Sequence, residues 1–237
     1  MIEINKLTKI YNYKSPNEIT GLSNVSFSIA KGEKINIIGR TGSGKSTICN
    51  LLLGIIKPTS GNFLINGKEY DSKSRRKKLR LITNDLLSSL QYPDHQLFTK
   101  SVKEEILFNS KNIDEDKKYM YELLEYMDLN KNILNQSPFN LSSGQKRKII
   151  LISILIKKPE ILIFDEATAF LDPQSRNEFI DLVKKINFEL KTTMIFVSHN
   201  IKDVSRFSKR TILLKDGRMY MDSNTEDVVK YYLEGGY

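Results

Sequence analysis

The first part of the chain alternates apolar and polar positions in a way that is typical of β-strands. Two segments show this alternation, one with Ile2 and Ile4 and one with Val25, Phe27 and Ile29. We expect two half-buried antiparallel strands, joined by a polar surface loop over 12–20. A third strand over 33–38 leads into a glycine-rich turn, and apolar residues at helical spacing follow over 45–54. Asn66-Gly67 predicts a tight hairpin, because both positions tolerate a positive φ.

The middle of the chain changes to helical periodicity. Four apolar residues recur at positions i, i+3, i+4 and i+7, namely Met120, Leu123, Leu124 and Met127. A further helix is predicted over 145–158, where Pro159 ends it. Strands return at 161–164, 193–197 and 211–214, with a short strand over 219–221. We therefore predict an α/β fold whose sheet core is interrupted by a helical subdomain at about 97–157.

Composition excludes several classes of protein. The longest unbroken apolar run, Ile149 to Ile152, has four residues, whereas a membrane-spanning helix needs about 20. The single cysteine, Cys49, cannot form a disulfide within the chain, and the N-terminus lacks the apolar core of a secretory signal. We therefore expect a reducing, cytosolic compartment. The net charge of +9, with six basic residues in 73–80, admits nucleic acid, an anionic membrane or a polyphosphate as partners.

The glycine-rich turn predicts a phosphate-binding loop. Eight residues fit the pattern G-x-x-x-x-G-K-[ST] in full: Gly39, Arg40, Thr41, Gly42, Ser43, Gly44, Lys45 and Ser46. Glycines let the backbone approach phosphate oxygens, and the helix that follows directs its N–H groups at them. We expect Lys45 to bridge the β and γ phosphates, Ser46 to bind Mg²⁺ and Thr47 to contact the α phosphate. The alternative is a chance glycine-rich turn, against which the flanking strand and helix argue.

Two acids and one histidine follow predicted strands. Asp165 and Glu166 come directly after the apolar strand 161–164. Because open α/β sheets bind ligands at the carboxyl ends of their strands, we expect Asp165 to hold Mg²⁺ and Glu166 to polarise the attacking water. A buried strand with a solvated acidic end is the alternative. His199 follows 193–197 and is a candidate γ-phosphate sensor, although a lone histidine is more often a packed or surface residue.

These motifs, in this order, resemble the ATP-binding cassette (ABC) ATPases. The decisive segment, Leu141-Ser142-Ser143-Gly144-Gln145, is similar to the family signature LSGGQ and lies 24 residues before Asp165. The resemblance implies the ABC-ATPase form of the P-loop NTPase fold, with a mixed sheet, N-terminal antiparallel strands and a helical subdomain between Q-loop and signature. In that family two such domains sandwich two ATP molecules, so Ser142 and the Gly144 N–H would contact the γ phosphate bound on the partner. An ordinary helix N-cap is the alternative for the serine.

The resemblance assigns further positions singly. Tyr11 is similar to the aromatic residue that stacks on adenine, with Tyr13 as the second candidate and a strand tyrosine as the alternative. Gln91 resembles the Q-loop glutamine, which contacts Mg²⁺ or the water. Asp172 belongs to a segment similar to the D-loop and would communicate across the dimer. Ser143 replaces the usual second glycine of the signature, where a positive φ would carry a conformational cost.

A subfamily is indicated by residues 91–98, QYPDHQLF. This string is similar to the Q-loop region of the energy-coupling factor (ECF) transporter ATPases, which power vitamin and metal-ion uptake in bacteria; a generic Q-loop is the alternative. In the family the groove beside this loop receives coupling helices of the membrane subunit. We therefore expect exposed Tyr92, Leu97 and Phe98 to contact such a helix.

The resemblance implies an ATP hydrolase with one cassette over residues 1–237. It would pair with a second nucleotide-binding subunit, identical or homologous, and power an integral membrane transporter subunit as a peripheral protein on the cytoplasmic face of the cell membrane. Catalysis would use Glu166, Lys45, Gln91 and His199, with ATP and Mg²⁺ bound.

The alternatives are another ABC transporter subfamily or a soluble ABC ATPase acting on nucleic acid or ribosomes. Proteins of the latter kind usually join two cassettes or insert a long coiled coil, and neither is found in this sequence. No nucleic-acid partner is expected, and we interpret the basic run 73–80 as facing an anionic leaflet or as a solvated surface. A small-molecule kinase would not account for 141–145.

Overall fold

Two β-sheets and a set of helices divide between two compact units. The computed structural model describes residues 1–74, 97–108, 110, 112–169 and 171–235, with the backbone of 86–89. One unit comprises 1–88 and 160–237, and the other comprises 89–159. The elements are, in chain order, β1 Ile2–Tyr11, β2 Ile19–Ile29, β3 Lys34–Ile38, α1 Lys45–Leu52, β4 Ser60–Ile65, β5 Lys68–Asp71, β6 Leu86–Ser89, α2 Val102–Leu107, α3 Ile113–Tyr126, α4 Ser143–Leu155, β7 Ile161–Asp165, α5 Pro173–Leu190, β8 Thr193–Val197, α6 Ile201–Phe207, β9 Arg210–Lys215, β10 Arg218–Asn224 and α7 Thr225–Leu233.

The first sheet is antiparallel and has the strand order β2-β1-β4-β5. Ile2 pairs with Ile29 on one side and with Ile65 on the other, so the alternating apolar positions share one buried face. Asn66 and Gly67 have φ of 50° and 77° and close the hairpin between β4 and β5. The two predicted N-terminal strands and the hairpin are confirmed.

The second sheet is mixed and has the order β10-β9-β3-β8-β7-β6. β3 runs parallel to β8 and β9, and β7 runs parallel to β8, whereas β9 and β10 are antiparallel. Strands β7 and β8 are apolar at nearly every position, because both of their faces are buried. The carboxyl ends of β3, β7 and β8 therefore meet at one edge, where the candidate site lies.

One hydrophobic core joins the two sheets through α1. The side chains of Ile48, Leu51 and Leu52 are fully buried and belong to the same cluster as residues of both sheets. Full burial of each such side chain contributes roughly 1.5–3 kcal/mol. The buried face of α1, the helix that follows the phosphate-binding loop, is thus anchored in the hydrophobic core.

The second unit is helical over most of its described length. Met120, Leu123, Leu124 and Met127 are all buried, which confirms the predicted periodicity. α4 begins two residues before the predicted start at Gln145, because Ser142 caps it, and it ends at Leu155. Lys158 then adopts a left-handed conformation, with φ of 50°, before Pro159.

Three helices of the first unit were not predicted from the sequence. α5 is 18 residues long, and α6 and α7 flank β9 and β10 in the chain. The start of α5 had a readable signal, since Asp172 is an N-cap residue and Pro173 occupies the first helical position.

No helix in the described ranges combines the length and apolarity needed to cross a membrane. Most of the basic run 73–80 lies outside the described residues, as do Gln91, Tyr92 and His95.

Candidate functional site

The predicted phosphate-binding loop connects β3 to α1, and two of its glycines, Gly39 and Gly44, are required by the atoms around them. A Cβ at Gly39 would lie 2.4 Å from the Leu214 carbonyl oxygen, and one at Gly44 would lie 2.6 Å from that of Gly21. Gly44 also has φ of 104°, which L side chains avoid. The loop backbone therefore passes too close to Leu214 and Gly21 to allow a side chain at Gly39 or Gly44. This backbone can direct N–H groups at a phosphate.

Lys45 holds the loop together through its ammonium group. Its Nζ donates to the carbonyl oxygens of Gly39 at 2.6 Å and Arg40 at 2.9 Å. Burial lowers the pKa of Lys45, while the nearby charges of Glu166 and Asp165 act to raise it. The ammonium therefore lies within electrostatic reach of Glu166, the predicted catalytic base, and of Asp165, the predicted Mg²⁺ ligand.

A turn from the far end of the chain supports the same loop. The N–H of Gly217, between β9 and β10, donates to the Ser43 carbonyl at 3.2 Å, and the Ser23 N–H donates to the Gly217 carbonyl at 2.7 Å. The sequence carries no signal for this contact, which depends on the pairing of β9 with β3.

Tyr11, at the end of β1, lies beside the first turn of α1. Its hydroxyl and that of Thr47 share a hydrogen bond of 3.1 Å. Tyr13, the second candidate, is 56% exposed. Of the two tyrosines, Tyr11 contacts a residue expected to bind phosphate, and its stacking on adenine stays a prediction.

Asp165 is the last residue of β7 and Glu166 follows it directly, so both acids lie at the carboxyl end of the strand, as predicted. Burial and the neighbouring Glu166 raise the pKa of Asp165, while Lys45 acts in the opposite direction. Glu166 adopts φ of 50°, a left-handed conformation that costs a non-glycine residue on the order of 1–3 kcal/mol. Its N–H donates to the Val197 carbonyl at 2.9 Å, which ties this turn to the end of β8.

His199 contacts Glu166 directly. The Nδ1 atom of His199 lies 2.8 Å from Oε1 of Glu166, and the histidine side chain is 70% exposed. The structure thus brings together two residues that the sequence predicted separately. The imidazole holds the carboxylate in place and remains largely accessible to a ligand.

Asp172 caps the start of α5. Its carboxylate accepts from the N–H groups of Gln174 and Ser175, both at 3.0 Å. The hydrogen bonds from Ser175 hold the pKa of Asp172 below its usual value. This contact gives the residue a structural role, and its predicted role across a dimer stays a prediction.

In the second unit, the signature segment begins α4. The Ser142 hydroxyl accepts from the Gln145 N–H at 3.3 Å, and the Gln145 side chain accepts from the Ser142 N–H at 3.1 Å, which is a capping box. Ser143 is the first helical residue and does not have a positive φ. The conformational cost that a positive φ would bring to this serine therefore does not arise. A Cβ at Gly144 would meet no atom within 4 Å.

The donor set at the sheet edge fits Mg²⁺. Ser46 supplies a hydroxyl and Asp165 a carboxylate, which are hard oxygen ligands of the kind this ion takes together with phosphate and water. Within the described part of the chain, no group of three or more His, Cys, Asp or Glu residues forms a self-sufficient metal site. The remaining ligands would therefore have to come from a nucleotide, water or the undescribed Gln91.

An open groove of about 770 Å³ lies in the second unit. Phe98 and Phe108 meet edge to face on its wall, with ring centroids 4.6 Å apart, and both are more than half exposed. Lys100, Lys103 and Lys117 also line it. Leu97 is only 4% exposed, so the expectation that it contacts a partner helix is wrong, because its side chain belongs to the interior of the unit.

Comparison with known proteins agrees with the motifs. The model of the ABC transporter family matches residues 22–169. The energy-coupling factor transporter ATP-binding protein EcfA2 of Staphylococcus epidermidis is 38% identical over 231 residues, which is 96% of this chain and 81% of that protein. EcfA2 of Acetivibrio thermocellus is 39% identical over 233 residues, covering 97% of this chain and 82% of that protein.

Solved structures show the same fold. CbiO1 from Clostridium perfringens, described as part of the ABC transporter complex cbiONQ, superposes with a TM-score of 0.86 at 30% identity, covering 99% of this chain and 95% of that one. A dimeric post-hydrolysis structure of the ATP-binding cassette MJ0796 with ADP and Pi gives 0.80 at 28% identity, covering 95% and 99%.

Proposed function

This chain belongs to the ABC transporter family, within which its relatives are ECF transporter ATP-binding proteins, and from this premise we propose that it is the ATP-hydrolysing subunit of an ECF-type importer. It pairs with a second ATP-binding subunit and with an integral membrane subunit, and it works as a peripheral protein at the cytoplasmic face of the membrane. The dimeric cassette that holds ADP and Pi supports the pairing.

One observation carries the assignment of the reaction. At the carboxyl edge of the mixed sheet, Glu166 lies 2.8 Å from His199 and within electrostatic reach of Lys45. A loop for phosphate, a carboxylate base and a histidine that orients it are the groups needed for attack of water on a γ phosphate.

The loop residues bind and neutralise the phosphates. Lys45 already donates to two carbonyl oxygens of its own loop, and phosphate oxygens would replace them as acceptors. The backbone N–H groups at the start of α1 and the dipole of that helix favour the same negative charge. These interactions strengthen as charge develops on the transferred group.

Glu166 orients the attacking water and takes its proton. His199 keeps the carboxylate in position and contacts the γ phosphate. Thr47 binds the α phosphate and Tyr11 stacks on the adenine ring, and their shared hydrogen bond supports placing both at one nucleotide. Ser142 and the Gly144 N–H complete the site of the partner subunit, since a capped helix N-terminus binds anions well.

Mg²⁺ would be held by Ser46, Asp165 and Gln91. When bound, it neutralises charge on the β and γ phosphate oxygens. Asp165 has a raised pKa, which reflects a carboxylate that is buried beside a second acid, and this setting favours a cation nearby.

The replacement Glu166→Gln tests this function. A positioned general base contributes about 10²- to 10⁴-fold, so turnover of ATP by the assembled transporter should fall by that factor. ATP affinity, measured by calorimetry, should be retained, because the amide keeps the shape of the side chain.

Glu160→Gln provides the matched control at the opposite end of β7. Glu160 accepts a hydrogen bond from Asn66 and lies away from the carboxyl edge. This variant should hydrolyse ATP at the wild-type rate. A turnover of Glu166→Gln within about twofold of wild type would contradict the assignment of the base.

A further inference from the structure

Asp203 is a buried carboxylate that the hydrolytic steps above do not use. It lies on α6, which begins two residues after His199. Its side chain is 2% exposed, and Oδ2 accepts a hydrogen bond from the Thr168 hydroxyl at 2.6 Å. A buried charge is tolerated only with such partners.

The second partner of Asp203 comes from the start of α5. Arg176 places Nε 3.7 Å from Oδ1 of Asp203 and donates through Nη2 to the Leu171 carbonyl at 3.1 Å. Asp203 therefore links the Thr168 side chain, two residues after Glu166, to the Arg176 side chain, which donates to the Leu171 carbonyl. Thr168 directly, and Leu171 through Arg176, are thus both linked to one carboxylate.

This loop needs such support because its first residue is strained. Glu166 has a left-handed backbone conformation and must keep its carboxylate 2.8 Å from His199. His199 and Asp203 belong to the same short stretch of chain, while Thr168 follows Glu166. Asp203 therefore connects the segment that carries Glu166 to the segment that carries His199, the two residues whose side chains meet at the site.

The electrostatic setting of Asp203 agrees with this placement. Burial raises its pKa, whereas the hydrogen bond from Thr168 and the charge of Arg176 lower it. Glu166 and His199 also influence this carboxyl group, which shows that the charges of the site and of its support are close.

We propose that Asp203 is a positioning residue for ATP hydrolysis. It acts through Thr168 and Arg176 to keep the side chains of Glu166 and His199 in contact. The proposal rests on the proposed ATPase function. It predicts an effect on the hydrolytic step and little effect on nucleotide binding, because Asp203, Thr168 and Arg176 all lie outside the phosphate-binding loop.

The first experiment compares Asp203→Asn with Asp181→Asn in the transporter assembled from full-length subunits. Asp181 accepts from Arg206 Nε at 3.2 Å and is 53% exposed, so this ion pair links the same two helices, α5 and α6, away from the loop. We expect kcat of Asp203→Asn to fall about 10- to 100-fold with KM for ATP within about twofold, as for a small displacement of a reacting group. Asp181→Asn should retain wild-type kcat.

The second experiment separates the hydrogen bond from side-chain shape. Thr168→Val removes the hydroxyl and keeps the branched shape, whereas Thr168→Ser keeps the hydroxyl. Thr168→Val should lower kcat, whereas Thr168→Ser should keep most of the wild-type kcat. The double variant Thr168→Val with Asp203→Asn should lose less kcat than the two single losses combined, because both replacements break the same hydrogen bond. If Asp203→Asn fails to assemble, the two Thr168 variants decide the question.

Three results would overturn the proposal: wild-type kcat in Asp203→Asn, an equal loss of kcat in Asp181→Asn, or equal activity of Thr168→Val and Thr168→Ser. Absence of ATP hydrolysis by the wild-type complex would instead refute the proposed function. The two failures are therefore distinguishable.

Discussion

Gly21 is required by the space around it and not by its backbone conformation. A Cβ at this position would lie 2.6 Å from Cε2 of Tyr11 and 3.0 Å from Oγ1 of Thr47. Gly21 is not among the glycines with a positive φ, so alanine would fit its backbone. The cost of a side chain here would therefore fall on Tyr11 and Thr47, two of the predicted nucleotide ligands.

Gly21→Ala should consequently weaken ATP binding by displacing the Tyr11 ring. Stacking of a base on an aromatic residue is worth about 1–3 kcal/mol, so a partial loss corresponds to about a three- to tenfold rise in Kd. Calorimetric titration would measure this rise. In a Tyr11→Ala background the added effect of Gly21→Ala should be small, and fully additive losses would contradict the mechanism.

At the scale of elements, the start of α4 shows how a signature residue can change without strain. Ser143 occupies the first helical position behind the capping box of Ser142 and Gln145. A helical φ suits serine, so the chain has no conformational reason to keep glycine there.

We therefore expect Ser143→Gly to leave ATP turnover within about twofold of wild type and to lower the free energy of unfolding by about 0.5 kcal/mol through helix propensity. Ser142→Ala, which removes the cap, should lower it by about 1 kcal/mol. Denaturant titration and steady-state ATPase assays would check both values. A large gain in turnover for Ser143→Gly would show that glycine is needed after all.

At the scale of the whole molecule, the groove in the described part of the second unit has features that would fit a membrane partner. Its wall carries the exposed pair Phe98 and Phe108, and lysines line its sides. An amphipathic helix with acidic flanks would match both features. That the integral membrane subunit binds at this groove stays a prediction.

Phe108→Ser should reduce copurification of the membrane subunit while ATP affinity of the chain stays unchanged. Phe188→Ser is the matched control, because Phe188 is 73% exposed but lies at the end of α5 in the other unit. Quantitative pull-down from detergent-solubilised membranes would measure the difference. Equal retention of the partner by both variants would place the docking surface elsewhere.

Residues adjacent in sequence carried most of the predictable information. The strand alternation of Ile2 and Ile4, the glycine loop before Lys45 and the acids after 161–164 were identified because each is a local pattern with a fixed backbone geometry. Their order then indicated the family. Of the unpredicted helices, α5 has a readable start in Asp172 and Pro173, whereas α6 and α7 are only seven and nine residues long and give weaker local signals.

Contacts between distant segments were decided by the tertiary structure alone. The sequence contains both Glu166 and His199, but only the pairing of β7 with β8 brings their side chains to 2.8 Å. The tertiary structure alone likewise brings the Gly217 N–H to the Ser43 carbonyl and the Thr168 hydroxyl to the Asp203 carboxylate. Periodicity and motif spacing describe which groups a chain possesses, whereas the path of the backbone determines which of them meet.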